Sequence, residues 1–365
     1  MFSNYVAIFT VTLMCSVFLV WSQRWHGHFS LDAAGGVQNH HKLPTIRIGG
    51  VSIAMGLLVA WQVAEPDVRV ILGPMLMAGL LPFAFGFAED ITNKVGIFPR
   101  LIATMASGFV AWLFSGVAMR HTGLPPLDWL LQFTPLAVIF TAFAVGGVVN
   151  AINIIDGFNG LAVGSVAIML SAMGLMALRE GDAPLATLCF SLAVCALGFC
   201  AANWPLGKLF LGDGGAYLLG FLVAWVAVML PMRHAEINAW ATILVCAYPV
   251  VEVAFSIHRR KKRQRSHTGQ ADKLHLHHLV HRRLICQVLP DLSAELKNGF
   301  TSPLCWLFVA MPAAVAVHFS HDTAMLALAF GGVVLTYSAI YARLSQFRWC
   351  LTAYTLRHSK SELQP

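Results

Sequence analysis

The chain has 365 residues, of which 58% are hydrophobic and only 11% charged, with a mean hydropathy of +0.70 and a formal net charge of +7. A soluble domain is closer to half apolar and a quarter charged, so this composition excludes one. Runs of about 20 apolar residues recur, each long enough to cross a hydrocarbon layer of about 30 Å as a helix. They lack the alternation of barrel strands, so the chain reads as an all-α polytopic integral membrane protein with about 10–11 transmembrane helices.

The first apolar run, 4–22, starts "MFSNYVAIFT", without a basic leader or a small-residue cleavage site, and is expected to be a span rather than a secretory signal. Before the second run, 49–64, stands "HHKLPTIRIGG", whose Lys42 and Arg47 either meet an anion or simply mark one side of the membrane. The third run, 70–88, leads into "GFAEDITNK"; the adjacent carboxylates Glu89 and Asp90 can raise each other's pKa or share a hard divalent cation. A fourth run covers 101–119. The fifth, 133–151, ends in "NAINIIDGFNG", where a spacing of three puts Asn150, Asn153 and Asp156 on one helical stripe. A carboxylate at such a depth needs a cation or a water-filled cavity, unless these groups only cap a helix stopped by Gly157.

The sixth and seventh runs, 161–178 and 184–202, close on Asn203. The eighth, 214–231, opens with "LGDGGAYLLG". Asp213 serves equally well there as a helix N-cap or as a carboxylate where backbone can approach phosphate closely. The ninth run, 237–257, carries an isolated Glu252, a candidate partner for other polar groups. It leads into a large loop, 258–301, with a basic run "HRRKKRQR" and the histidine-rich "DKLHLHHLVHRRL". His275, His277 and His278 beside Arg282 and Arg283 suit diphosphate better than zinc, because neighbouring cations oppose metal binding. The last runs, 302–319 and 322–342, precede a tail of residues 343–365.

With eleven spans, twenty of the 24 Lys and Arg fall on one side, and only Arg69, Arg120, Arg179 and Arg233 on the other. The basic side is therefore expected to be cytoplasmic, with the N-terminus outside. The net charge then reflects topology and attraction to anionic membrane lipid, and no nucleic-acid partner is expected. All five polar clusters fall on that same side. The eight cysteines form no CxxC pair, so no disulfide framework or sulfur metal site is indicated. Carboxylates, carboxamides and basic groups at one membrane face point to phosphate chemistry on a lipid, with Mg²⁺ or Mn²⁺ as the metal. No G-x-x-x-x-G-K-[ST] loop supports ATP-driven chemistry. The alternatives are a transporter of lipid or solute without catalysis, with polar groups near the bilayer midplane, or a histidine-rich metal carrier.

The five clusters, in this order from residue 40 to 285, resemble the shared motifs of the polyprenyl-phosphate N-acetylhexosamine-1-phosphate transferases (glycosyltransferase family 4 type), and "DGFNGLA" and "DKLHLHHL" resemble the branch that initiates O-antigen and related surface polysaccharides. The resemblance implies one transmembrane catalytic domain over 1–365 in a bacterial cytoplasmic (inner) membrane, its site facing the cytoplasm. It implies transfer of an acetamido-sugar 1-phosphate from a UDP-sugar to undecaprenyl phosphate, releasing UMP. Asp90, Asp156, Asp213 and His278 would then be catalytic, with Asp213 and Asp156 on Mg²⁺. Lys42, Asn153, Asn159, Asn203, His275, His277 and Arg282 would contact substrate. The chain departs from the family pattern at two places: Glu89 precedes Asp90 where an Asp pair is usual, and Asn159 stands where relatives tend to carry Asp. The preferred sugar and the choice between one-step and two-step transfer are not legible, and a homodimer is compatible with the sequence without being specified by it.

Overall fold

The computed structural model describes residues 2–32, 45–263 and 274–346, and the chain is helical nearly throughout. A first helix α1 (Phe2–Trp21) is followed by a short α2 (Gln23–Ser30), then α3 (Gly50–Val63), α4 (Pro66–Thr92), α5 (Ile97–Ser115) and the short α6 (Pro125–Leu131). Next come α7 (Thr134–Ile155), α8 (Leu161–Arg179), α9 (Ala183–Asn203) and α10 (Gly212–Arg233). The chain ends with α11 (Ala239–Val245), α12 (Ala247–Arg263), α13 (Leu276–Val280), a π-helical turn (His281–Ile285), α14 (Cys286–Val288), α15 (Ala294–His318) and α16 (Thr323–Ser345). Two-residue strands β1 (Leu31–Asp32) and β2 (Thr45–Ile46) pair antiparallel.

Among the described residues, nine helices are long and apolar enough to cross a membrane, as an all-α polytopic protein requires. The other two of the eleven expected spans take different forms. The second is α3, whose 14 residues reach only about 21 Å at 1.5 Å per residue. The ninth is broken, because α11 and α12 meet at a 76° bend. Pro249, in the first turn of α12, has no N–H to donate to the Val245 carbonyl, which explains why the ladder fails there. The third span also runs further than its apolar residues suggest. Helix α4 continues through Glu89 and Asp90 to Thr92, and Asn93 closes it in the left-handed conformation.

Helix α10 is the axis of the bundle. It packs chiefly on α4 and α7 and also meets α8, α3 and α5. Almost every side chain beyond its first turn is buried, whereas α16 is mostly exposed. Close approach at the start of α10 depends on glycine. A Cβ on Gly86 of α4 would lie 2.6 Å from the Asp213 carbonyl carbon and the Gly214 nitrogen. The two helix backbones touch there, as small residues allow in membranes.

Segment 45–50 completes the frame. Its backbone runs beside residues 209–211: the Phe210 N–H donates to the Ile46 carbonyl at 2.7 Å, and the Gly49 N–H donates to the Phe210 carbonyl at 3.0 Å. This brings Arg47, the last turn of α4 and the first turn of α10 to one end of the bundle.

Candidate active site

The end of α4 holds the start of α10. Asp90 is 2% exposed, and its Oδ1 and Oδ2 accept the Asp213 and Gly214 backbone N–H groups at 2.8 and 2.9 Å. These are among the N–H groups a helix start leaves without an internal partner, and a carboxylate satisfies them in both hydrogen bonding and charge. Arg47 lies 3.6 Å from Asp90 Oδ1 and donates to Asn93 Oδ1 at 3.0 Å. Gly212, at φ +74°, makes the turn possible; a Cβ there would meet Asp90 Oδ2 at 2.6 Å.

Asp213, in the first turn of α10, is held on both sides. Its Oδ1 accepts from Asn153 Nδ2 of α7 at 3.0 Å, and its Oδ2 pairs with the Arg100 guanidinium from the first turn of α5. Arg100 also comes within 4.0 Å of Glu89, which accepts the Val95 N–H at 2.8 Å. Asp156 follows the last residue of α7. Burial, reinforced by the nearby charges of Asp213 and Asp90 and opposed by Arg47, pushes its carboxyl up to about 8. Among the described residues none donates a hydrogen bond to it. The expected stripe thus divides: Asn153 and Asp156 belong to the mouth. Asn150 instead ties α7 to α5 through Thr104 Oγ1 at 2.9 Å and also caps the Gly146 carbonyl.

Two further expected site residues bond backbone groups. Asn203 is 5% exposed; its Oδ1 accepts the Gly160 N–H at 2.5 Å and its Nδ2 donates to the Leu209 carbonyl at 2.7 Å. Asn159 donates to the Pro205 carbonyl at 2.9 Å, while its own N–H and C=O are taken by Asn298 and Ser302 of α15. These amides clasp the 156–160 turn to the α9–α10 loop, behind the mouth rather than within it. Both amides expected to contact substrate thus also bond backbone on either side of this turn.

The histidines pack onto the same turn. His275, His277 and His278 are buried, and Phe158 touches the rings of His277, His278 and His281 at centroid distances of 5.0–5.7 Å. A Cβ placed on Gly157 would lie 3.3 Å from His277 Nε2 and 3.8 Å from His278 Nε2. Arg282 Nε donates to the His278 carbonyl at 3.3 Å. Lys42 lies outside the described residues.

The mouth therefore combines four carboxylates (Glu89, Asp90, Asp156, Asp213) with two guanidiniums (Arg47, Arg100). Arg100 is the residue that the sequence reading missed, since the inside-positive pattern already accounts for a cation at that point. Among the described residues, no three His, Cys, Asp or Glu side chains converge as a complete metal cage. Mg²⁺ needs none, because it keeps waters and binds through one or two carboxylates together with substrate phosphates. A carboxylate crowded by others and without a hydrogen-bond donor among the described residues, as Asp156 is, fits such a cation.

Residues 72–231 match the family model described as glycosyl transferase family 4. The chain is 26% identical over 275 residues, 73% of its length and 70% of the relative's, to a Yersinia pestis protein named undecaprenyl-phosphate alpha-N-acetylglucosaminyl 1-phosphate transferase. A protein of the same name from Escherichia coli K12 is 24% identical over 315 residues, covering 84% of this chain and 80% of the relative. A Mycobacterium leprae decaprenyl-phosphate N-acetylglucosaminephosphotransferase is 27% identical over 286 residues, covering 67% and 70%.

Proposed function

We propose that the chain, a member of the polyprenyl-phosphate N-acetylhexosamine-1-phosphate transferase family, transfers N-acetylhexosamine 1-phosphate from a UDP-sugar to undecaprenyl phosphate. An oxygen of the lipid phosphate forms a bond to the sugar-bearing phosphorus, the bond from that phosphorus to the bridging oxygen breaks, and UMP leaves. The product is the lipid-diphosphate-linked first sugar of a surface polysaccharide. N-acetylglucosamine is the first sugar to test, since it is named for the relatives. The observation that carries this reading is Asp213, presented at the start of a buried helix with Asn153 and Arg100 on its two oxygens and Asp156 close by.

Asp213 and Asp156 would hold Mg²⁺, which supplies charge neutralisation for the diphosphate when bound. Arg100 and Arg47 bring guanidiniums suited to phosphate oxygens. Asp90 keeps the first turn of α10 in place so that Asp213 stays at the mouth. The histidine stack closes the site from the side of the 156–160 turn, where His277 and His278 can meet the diphosphate or the sugar. The exposed apolar side chains of Ile97 and Phe98, on the first turn of α5 beside Arg100, suit a substrate whose phosphate sits at the membrane face while its chain stays in lipid. The excess of Lys and Arg on that face supports a cytoplasmic orientation.

The test is direct. Purified protein in lipid nanodiscs, given UDP-N-acetylglucosamine, undecaprenyl phosphate and Mg²⁺, is expected to release UMP and form lipid-linked sugar diphosphate detectable by mass spectrometry. Absence of UMP across a panel of UDP-acetamido sugars would reject the reading.

A further inference from the structure

Glu252 lies on α12, beyond the bend of the broken span, and is wholly buried. Its Oε1 is 2.8 Å from His275 Nδ1, and its Oε2 accepts the Leu276 N–H at 3.0 Å. Leu276 opens α13, so this carboxylate satisfies one of the N–H groups the short helix leaves unbonded. A carboxylate in a dry interior is expensive unless hydrogen bonds take up its lone pairs. Glu252 draws both of these donors from the two residues that begin the histidine segment.

A second contact comes from the same face of α12. Tyr248, four residues earlier, places its hydroxyl 3.3 Å from His277 Nδ1. The rings of His275 and His277 are nearly parallel, 5.3 Å apart at 14°, and His278 lies 4.7 Å from His277. The stack thus stands on two side chains of one helix and abuts Gly157, next to Asp156.

We propose that Glu252 is a positioning residue for the transfer reaction: it fixes the tautomer and tilt of His275 and, through the ring stack, seats His277 and His278 against the Asp156–Gly157 turn. The inference rests on the function proposed above. A carboxylate only accepts, so His275 must carry its proton on Nδ1, leaving Nε2 as the acceptor of the neutral ring. A glutamine at 252 retains size and an oxygen for the Leu276 N–H. Its amide N–H₂ then faces Nδ1 and donates to it, which reverses the neutral tautomer.

The experiment compares Glu252→Gln with wild type by steady-state kinetics and by ¹⁵N NMR of histidine-labelled protein in nanodiscs, with His275→Asn identifying the His275 signals. The expected result is a kcat lower by about 10–100-fold, the scale seen when a carboxylate that orients a metal-ligating histidine is lost. KM for undecaprenyl phosphate and the melting temperature should stay unchanged, and His275 should move its proton from Nδ1 to Nε2. Unchanged kcat, or an unchanged His275 tautomer, overturns the proposal. So does a variant that melts lower while kcat per folded enzyme is preserved, since that is a purely structural role. If the wild type releases no UMP with any donor, the proposed function fails, yet the NMR comparison still decides whether Glu252 sets His275.

Discussion

Two sets of polar side chains share one end of the bundle and differ in their partners. At the mouth, Asp213 is held by Asn153 and Arg100, while Asp156 has carboxylates for neighbours. Behind it, Asn203 and Asn159 bond backbone groups of Gly160, Leu209 and Pro205. Charged side chains can exchange one another for a ligand's phosphate or a cation at little net expense. An amide that satisfies buried backbone cannot leave without orphaning a peptide group, which costs about 1–3 kcal/mol. The first set is therefore suited to binding and the second to holding the loops that shape the site.

The most severe test of that division is Asp213→Asn. The amide keeps the volume and can still accept from Asn153, so the fold should persist, but the charge is gone. UMP release at saturating Mg²⁺ is expected to fall by about 10³-fold, the scale of losing one electrostatic contact to a reacting centre. Near-normal turnover would place Asp213 among the struts and remove the metal assignment.

A subtler disturbance leaves every side chain of the mouth in place and moves one of the helices that carry them. In Gly86→Ala the new methyl would meet the Asp213 carbonyl carbon and the Gly214 nitrogen at 2.6 Å each. Backbone cannot swing aside as a side chain can, so α4 and α10 must separate. A displacement of about 1 Å at a reacting centre is expected to lower kcat by about 10²-fold. Gly147→Ala on α7, where nothing lies within 4 Å of the added carbon, is the matched control and should leave turnover unchanged. Equal activity in both variants would show that the mouth tolerates movement of α10.

Much of the architecture was legible because lipid makes one demand on every span: backbone satisfied internally and apolar surface outward. All eleven apolar runs became helices, and the clusters 45–50, 87–96, 150–160 and 202–220 converge at one end of the bundle. Which helix is central was not legible. The apolar runs of α10 and α16 look alike in sequence, yet the first is nearly buried and the second mostly exposed, since lipid tails are as apolar as a protein core and either setting suits such a run. The 76° bend at Cys246 was not foreseen, since 237–257 is continuous in hydropathy and reads as one span. Within the clusters, residue type leaves the use open where two uses share one chemistry. An asparagine that contacts a ligand and one that caps backbone look identical, so the backbone bonds of Asn203 were not legible. Arg100 was hidden because orientation already explained it. Glu252 was noticed only as an isolated acid, since its partners His275 and Leu276 lie more than twenty residues away.

Asn203→Ala tests the scaffold side, and its effect should fall on stability before activity. The substitution leaves the Gly160 N–H and the Leu209 carbonyl without their bonds, about 1–3 kcal/mol for each buried group. A lowered midpoint of thermal unfolding in nanodiscs is expected, measurable by intrinsic tryptophan fluorescence because Trp204 adjoins the site of change. Turnover per folded molecule should stay within a few-fold of wild type, since the side-chain hydrogen bonds of Asn203 run to Gly160 and Leu209 and not to Asp213 or Asn153. A deep loss of kcat with an unaltered unfolding midpoint would move Asn203 into the mouth. The contrast between side chains that meet charges and side chains that meet backbone would then fail as a guide to which asparagines touch substrate.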